Sequence, residues 1–388
     1  MRAKRIDIAT TVLAAGAAAA LAAPLAATAA DFSWDGGTGA FKHWSSNENW
    51  VGDTVPASDA ATRIFLTGFV NTGSSGGALT NDIATPLTLN HLGIMTATNT
   101  GSEPLFTVAG EPLRFTTNGS TQPIFYSSRK ATSTIYNPIE IAATALTFRA
   151  TTYAVNFNGA VSGDGALIYD GPLGGAGGLT LNEANTFMGG LIYKNRSATT
   201  NTTWSKLTIN TSGAMGTGPV ELYGGNRETL TNYGATGNYG NERTSGIIFR
   251  GNTLHSNDFE IRQEAPIFVG DHGSHPTAAS VRLLGSIDLN TNGLWLRGPA
   301  AATGTIESNI FSTGGGGRLV KLDPGTWILN GSNSYEGPTD VSMGRLFING
   351  DNRSATGLVT VAGGSLLGGN GIVGGKTVFQ AGVTNAPG

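Results

Sequence analysis

One segment of this chain occurs twice without a gap. Residues 179–189 (LTLNEANTFMG) align with residues 327–337 (WILNGSNSYEG). The motif positions are Leu179, Leu181, Asn182, Asn185, Phe187 and Gly189 in the first copy and Trp327, Leu329, Asn330, Asn333, Tyr335 and Gly337 in the second. A unit that recurs within one chain predicts a solenoid, a propeller or an array.

The similarity continues downstream with a variable insertion. Residues 206–210 match 345–349, and the first copy carries additional residues near 195–204. Variable insertions favour a solenoid, because each coil contacts only its neighbours and can bulge into solvent. Asparagines at one corner of successive coils are then predicted to accept positive φ and to hydrogen-bond along the stack.

Short runs of alternating apolar and polar residues predict strands. Glycine, asparagine or aspartate bounds these runs, and no segment keeps an apolar pattern at the helical period over the ~11 residues of an ordinary helix. The runs are 207–209, 220–222, 246–250, 281–284, 294–296, 346–348 and 359–361. The chain is therefore predicted to be all-β.

Composition agrees with a repetitive backbone. The chain has 58 glycines, and charged residues make up 13% of it, against the ~25% that is typical of globular domains. It has no cysteine, so disulfides and thiolate metal sites are excluded. The net charge of −3 and the scattered basic residues argue against nucleic acid as a partner.

The N-terminus has the pattern of a secretory signal peptide. Three basic residues precede an apolar run over 8–25, and small residues follow at 26–30. Cleavage is predicted after Ala29 or Ala30. No later stretch is apolar for ~18 residues, so no integral membrane segment is expected after cleavage.

These motifs resemble those of bacterial proteins with autotransporter-associated β-strand repeats, also called passenger-associated-transport repeats. Their motif has the form Leu-Thr-Leu-x-Gly-x-Asn-Thr-Tyr-x-Gly-Gly, followed by a Gly-x-Leu strand. Glu183 replaces the first motif glycine here, and Pro338 replaces the last one. The N-terminal stretch that begins with WDGG at 34–37, and the C-terminal stretch over 349–388, are also similar to those of family members.

The resemblance implies an all-β fold, a right-handed parallel β-helix (β-solenoid) of irregular coils. With ~20 to 28 residues in each coil, about 13 to 18 coils are expected. The predicted organisation is a signal peptide (1–30), an N-terminal cap with the first coils (31–130), and a β-helix (131–388) with repeats at about 161–222 and 311–375. The family is exported, so a secreted or cell-surface location in a Gram-negative-type envelope is expected.

Aromatic residues provide two candidate binding groups. Trp34, Trp44 and Trp50 could stack against sugars, although a cap that buries them over the first coil is the favoured interpretation. Tyr223, Tyr233 and Tyr239 belong to an asparagine- and glycine-rich stretch, 224–242, which is predicted to be an exposed insertion. Extracellular glycans or surface proteins are the partners that such groups would serve.

A metal site has weaker support. Asp271, His272 and His275 lie within five residues, but they lack the helical spacing of zinc-hydrolase motifs and a third ligand placed by the sequence. A solvated loop is the favoured interpretation. No metal and no cofactor are therefore predicted.

Two functions remain open. The leading hypothesis is a structural or interaction protein without enzymatic activity, a β-helical stalk with adhesive loops. The alternative is a polysaccharide lyase or glycoside hydrolase on the same fold, which needs clustered carboxylates with a basic partner. The acids are dispersed, and Glu221, Glu228 and Glu242 show no spacing that predicts a pair on neighbouring strands. Coils can still bring distant positions together.

Overall fold

The structure is a computed structural model, and it describes residues 27–36, 42–67, 78–95, 105–172, 177–195, 205–224, 245–270 and 278–387. The predicted signal peptide lies outside these ranges up to residue 26. Within them, no helix is long and apolar enough to span a lipid bilayer. The described chain is almost entirely short strands and turns, as its alternating pattern predicts.

The strands follow one another in chain order with brief connections. The first eighteen are β1 (Ala30–Trp34), β2 (Thr62–Leu66), β3 (Leu79–Asn81), β4 (Leu87–Leu89), β5 (His91–Ile94), β6 (Phe106–Gly110), β7 (Leu113–Phe115), β8 (Ile124–Ser127), β9 (Ser133–Ile135), β10 (Ile139–Ile141), β11 (Ala145–Ala150), β12 (Val155–Phe157), β13 (Val161–Gly163), β14 (Ala166–Asp170), β15 (Gly178–Leu181), β16 (Leu191–Lys194), β17 (Lys206–Ile209) and β18 (Val220–Tyr223). The next ten are β19 (Gly246–Phe249), β20 (Asn252–His255), β21 (Phe259–Ile261), β22 (Ala265–Val269), β23 (Ser280–Leu283), β24 (Ile287–Asp288), β25 (Gly293–Arg297), β26 (Thr303–Ile306), β27 (Ile310–Phe311) and β28 (Arg318–Lys321). The last nine are β29 (Thr326–Leu329), β30 (Thr339–Val341), β31 (Arg345–Ile348), β32 (Asp351–Asn352), β33 (Val359–Val361), β34 (Leu366–Gly369), β35 (Ile372–Val373), β36 (Thr377–Phe379) and β37 (Thr384–Pro387). A 3₁₀ turn covers Asn47–Asn49.

Five parallel sheets stack these strands into a β-helix. Sheet 1 has the order β1-β2-β5-β8-β11-β14-β16-β18-β21-β24-β27, and sheet 2 has the order β3-β6-β9-β12-β15-β17-β19-β22-β25-β28-β30-β33-β36. The third face is sheet 3 (β13-β10-β7-β4) near the N-terminus and sheet 4 (β20-β23-β26-β29-β31-β34-β37) further along, and sheet 5 pairs β32 with β35. The parallel β-helix expected from the sequence is confirmed.

The coils differ in length. Along sheet 2, Val359 pairs with Thr377, 18 residues later, whereas Leu207 pairs with Ile247, 40 residues later. At ~4.8 Å for each strand, the 13 strands of sheet 2 extend over about 60 Å. Sheets 1 and 2 run without a break through the predicted boundary at residues 130 and 131, through the pairs β8 with β11 and β6 with β9.

The interior is a column of stacked side chains. Phe125, Phe148, Tyr169 and Tyr193 are register partners in sheet 1, with successive ring centroids 5.4, 6.1 and 5.7 Å apart. The hydroxyls of Tyr169 and Tyr193 donate to the carbonyls of Gly177 and Ser205 at 2.8 and 2.9 Å. Each ring therefore buries its apolar body while its polar end is satisfied at the wall.

Buried charges occur where sheet 2 passes the second motif copy. Arg297 and Asp323 form an ion pair of 2.9 Å, with side chains 4% and 2% exposed. The Lys321 ammonium donates to the carbonyls of Leu322, Asp323 and Met343 at 2.6, 2.6 and 3.0 Å. Burial lowers the pKa of Lys321 to about 7, with Asp323 opposing the shift. These contacts tie the corner after β28 to the coils on both sides.

Buried asparagines of the repeat motif connect three coils at once. Asn185 accepts the Val161 N–H at 2.7 Å and donates to the Ala214 carbonyl at 2.6 Å. Its counterpart Asn333 accepts the Ile310 N–H at 2.7 Å and donates to Asn352 Oδ1 at 2.8 Å. Each amide thus satisfies a backbone donor of the preceding coil and an acceptor of the following one.

A second asparagine position forms ladders at the coil corners. Asn182 donates to Asn158 Oδ1 and Asn210 donates to Asn182 Oδ1, both at 2.6 Å. In the second copy, Asn349 donates to Asn330 Oδ1 at 3.1 Å. The hydrogen bonding predicted along the stack is confirmed. The predicted positive φ is wrong for these asparagines, since the described non-glycine residues with positive φ are Asp53, Asn290 and Asp323.

The remaining motif positions fill the core or allow close backbone approach. Phe187 and Tyr335 are buried, and the Tyr335 hydroxyl lies 2.6 Å from Thr339 Oγ1. A Cβ at Gly189 would lie 2.3 Å from the Ala166 nitrogen, and one at Gly337 would lie 2.0 Å from the Gly316 carbonyl oxygen. Leu179, Leu181, Trp327 and Leu329 are buried. Glycine ends the motif because two coils touch there.

We expect Asn333→Ala to destabilise the protein by about 1–3 kcal/mol, because it leaves the Ile310 N–H buried without an acceptor. The matched control is Asn349→Ala at the exposed corner ladder, which should stay within about 0.5 kcal/mol of the parent. Urea unfolding followed by circular dichroism measures both. Equal losses in the two variants would contradict the role of Asn333 as a clamp between coils.

Stability is expected to fall between pH 6.5 and 4. His255 is 1% exposed, packs 4.9 Å from the Phe249 ring, and burial lowers its pKa to about 4. The unfolded state therefore binds more protons in this window, so acid favours unfolding by about 2–3 kcal/mol at pH 4.5. The measurement is the difference in unfolding free energy between pH 7.5 and 4.5.

His255→Leu should remove that part of the loss, whereas His43→Gln, at a largely exposed histidine, should keep it. His91 shifts in the same direction, since burial and Arg63 lower its pKa to about 4. The comparison of His255→Leu with the parent isolates His255. An unchanged pH dependence in His255→Leu would refute the assignment.

Candidate functional site

The outer face of sheet 1 brings carboxylates of successive coils into one row. Glu221 of β18 is the register partner of Glu260 of β21, and Glu260 is the partner of Asp288 of β24. Neighbouring positions in such a row are ~4.8 Å apart along the axis. The spacing of Glu221 in the sequence predicts no carboxylate pair on neighbouring strands, but the coils bring Glu260 beside it, the possibility that the sequence left open. Glu228 and Glu242 lie outside the described residues.

One arginine serves two carboxylates of this row. Arg262 forms ion pairs with Glu260 and, at 3.5 Å from Nε to Oε2, with Glu221. These three side chains are between 23% and 39% exposed, so solvent reaches all of them. The pairs fix the direction of the side chains rather than add much stability.

A phenol lies beside the row. The Tyr223 hydroxyl donates to Glu221 Oε2 at 2.8 Å, and the Lys194 ammonium lies 5.5 Å from the Tyr223 ring centroid. Partial burial, the hydrogen bond to Glu221 and its charge raise the pKa of Tyr223. The hydroxyl therefore stays protonated at neutral pH and acts as a hydrogen-bond donor.

Asp288 closes the row with its oxygens already occupied. The Asn290 N–H donates to Oδ1 at 2.8 Å, and Thr313 donates through its hydroxyl to Oδ2 at 2.7 Å. Partial burial opposes ionisation, but these hydrogen bonds outweigh it and lower the pKa of Asp288. Asp288 is thus a poor proton donor at neutral pH.

Two long connections follow strands of sheet 1 in the chain. Those from β16 to β17 and from β18 to β19, which run from sheet 1 to sheet 2, contain residues 195–205 and 224–245. By contrast, two residues join β19 to β20. Lys194 and Tyr223 are the last strand residues before the two long connections.

The three tryptophans proposed for sugar stacking are buried. Trp34, Trp44 and Trp50 are 3%, 0% and 1% exposed. Trp50 lies edge-on to both others, with centroids 5.2 and 6.0 Å apart, and its indole N–H donates to the Trp44 carbonyl at 2.7 Å. Their faces are not open to a sugar, which corrects the stacking interpretation in favour of packing over the first coil.

The other predicted site residues fall into two groups. Tyr223 belongs to the polar row, whereas Tyr233, Tyr239, Asp271, His272 and His275 lie outside the described residues. In the described ranges, no group of three or more histidine, cysteine, aspartate or glutamate side chains is arranged to hold a metal ion. Sequence reasoning missed Glu260, Arg262 and Asp288. A signal was present for Glu260, because residues 257–261 (NDFEI) resemble residues 137–141 (NPIEI), and both have the alternating pattern of a strand.

Comparison with known proteins identifies the repeat. The family described as Passenger-associated-transport-repeat matches residues 319–348, inside the second predicted copy. The Adhesin BmaC autotransporter of Brucella suis biovar 1 (strain 1330) is 43% identical over 83 residues, which is 21% of this chain and 2% of the adhesin. No solved structure matches significantly. The chain therefore carries the autotransporter-associated passenger repeat and is partly homologous to an adhesin autotransporter.

Proposed function

We propose that this protein is an exported β-helical passenger, displayed at or released from a Gram-negative-type cell surface, which binds partners and does not catalyse a reaction. The observation that carries the proposal is the passenger repeat built into an uninterrupted parallel stack. The side chains of that repeat hold neighbouring coils together, as Asn333 does through its hydrogen bonds to the preceding and following coils.

The interior supports a stalk. The inward positions are filled by one continuous apolar cluster that runs from Trp34 to Leu367. A packed column transmits strain along the axis, because each coil is bonded to both neighbours. Outward positions and long connections are then the places where a partner can be recognised. The partial homology to an adhesin agrees with this role.

An enzyme is the second candidate, favoured by the row of Glu221, Glu260 and Asp288 with Arg262. Acid–base chemistry on a glycan needs a proton donor and an acceptor at one site. Here Tyr223 has a raised pKa and Asp288 a lowered one, so neither suits proton exchange at neutral pH. The row is better suited to hydrogen bonding than to proton transfer.

Expression of the whole chain in a Gram-negative host tests the proposal. We expect a mature N-terminus after Ala29 or Ala30 by mass spectrometry, and protein in the medium or accessible to protease on intact cells. We also expect no reducing ends or unsaturated products from polysaccharides. Protein that stays unprocessed in the cytoplasm contradicts the passenger role.

Turnover needs its own control. Product formation that disappears in Glu221→Gln and Glu260→Gln, but persists in Glu307→Gln, directly after β26 of sheet 4, would establish the enzyme instead. Glu307 is a suitable control because it also forms an arginine pair, at 2.7 Å to Arg282, on another face.

A further inference from the structure

The outer face of sheet 1 combines apolar and hydrogen-bonding groups in a narrow strip. We define the strip by Ile168, Ile192, Lys194, Glu221, Tyr223 and Arg262. Ile168 pairs with Ile192, Ile192 with Glu221, and Lys194 with Tyr223, so these positions follow one another along the axis. We propose that this strip binds a neutral, linear glycan that lies along the axis of the β-helix; the proposal rests on the function proposed above and names its partner.

The apolar part of the strip faces outward. Ile168, Ile192 and Tyr223 are half-buried, while the alternate residues of the same strands, such as Leu167 and Tyr193, are fully buried in the core. A half-exposed phenol ring next to two isoleucines offers a surface for the apolar face of a sugar ring. Covering this apolar surface with a sugar ring would contribute favourable binding free energy.

The polar part of the strip offers both donors and acceptors. Glu221 accepts, Arg262 and Tyr223 donate, and Lys194 makes no ion pair among the described residues. Sugar hydroxyls are donors and acceptors at once, so neighbouring hydroxyls can bridge such groups. The ~4.8 Å rise of the coils is comparable with the advance of one ring in an extended linear glycan.

The charges of this face argue for a neutral ligand. Arg149 pairs with Asp170 at 2.7 Å, and Arg262 pairs with Glu221 and Glu260. The cations and carboxylates compensate one another here. A polyanion would therefore be repelled by the carboxylates as well as attracted by Lys194, and the net electrostatic contribution to its binding would be small.

A peptide is also disfavoured as the ligand. β16 is paired with β14 on one side and with β18 on the other, so the centre of sheet 1 has no free edge to which an extended peptide could add. The backbone groups that would bind a peptide strand are already used. Recognition on this face must therefore go through side chains.

Titration calorimetry of the full exported chain provides the test. The probes are hexasaccharides of β-1,4-linked glucose, mannose and xylose, with polygalacturonate as the anionic comparison. We expect at least one neutral hexasaccharide to bind, and Tyr223→Ala and Lys194→Ala each to weaken it about tenfold or more. Tyr223→Phe should stay within about threefold of the parent, since it keeps the ring.

The matched control is Arg282→Ala, which breaks an exposed arginine–glutamate pair on sheet 4 and should leave binding unchanged. Circular dichroism checks that each variant remains folded. The proposal would be overturned if none of the three neutral hexasaccharides bound, if only polygalacturonate bound, or if Arg282→Ala weakened binding as much as Tyr223→Ala. Display without glycan binding refutes only the binding role of the strip. Glycan binding by a protein that is not exported refutes the passenger role and leaves the binding role of the strip intact.

Discussion

The structure depends on backbone hydrogen bonds between successive coils. Every ladder between the described strands is parallel, and each strand inside a sheet uses its donors and acceptors on the coils before and after it. A coil cannot satisfy its own backbone, so it is stable only inside the stack. The inward side chains must then repeat in register, which explains why Phe125, Phe148 and the two tyrosines after them form a single column.

Backbone hydrogen bonds between coils are hardest to form at the corners, because the ladder is interrupted at each turn. The repeat motif solves the problem with side chains, since Asn185 and Asn333 replace a missing backbone partner. The motif is a local device and not a whole coil. Its first copy begins on sheet 2 with Leu179, whereas its second begins on sheet 4 with Trp327. The same clamp therefore works at two different corners of the β-helix.

Most of the fold could be predicted from the sequence. All seven alternating runs used as evidence for strands overlap strands, and in both motif copies the buried asparagine accepts a backbone N–H of the preceding coil. The polar row could not be predicted, because it depends on register between strands that are far apart in the chain. Glu221 of β18 and Glu260 of β21 are partners although β19 and β20 lie between them in the chain. Coils of 18 to 40 residues give no fixed offset from which such a pair can be read.

The same physical constraints indicate where function can change without loss of the fold. Inward positions must remain apolar and in register, and corner asparagines and glycines are fixed by contacts between coils, as at Gly337. Outward positions on sheet 1 are not constrained in this way. Ile168, Ile192, Glu221 and Glu260 are successive register partners, and the change from apolar to charged side chains leaves the backbone pairing unchanged. An outward face can therefore exchange apolar for charged residues coil by coil. Because the backbone presents successive outward positions at a nearly constant rise, such a face suits ligands that are themselves linear and repetitive.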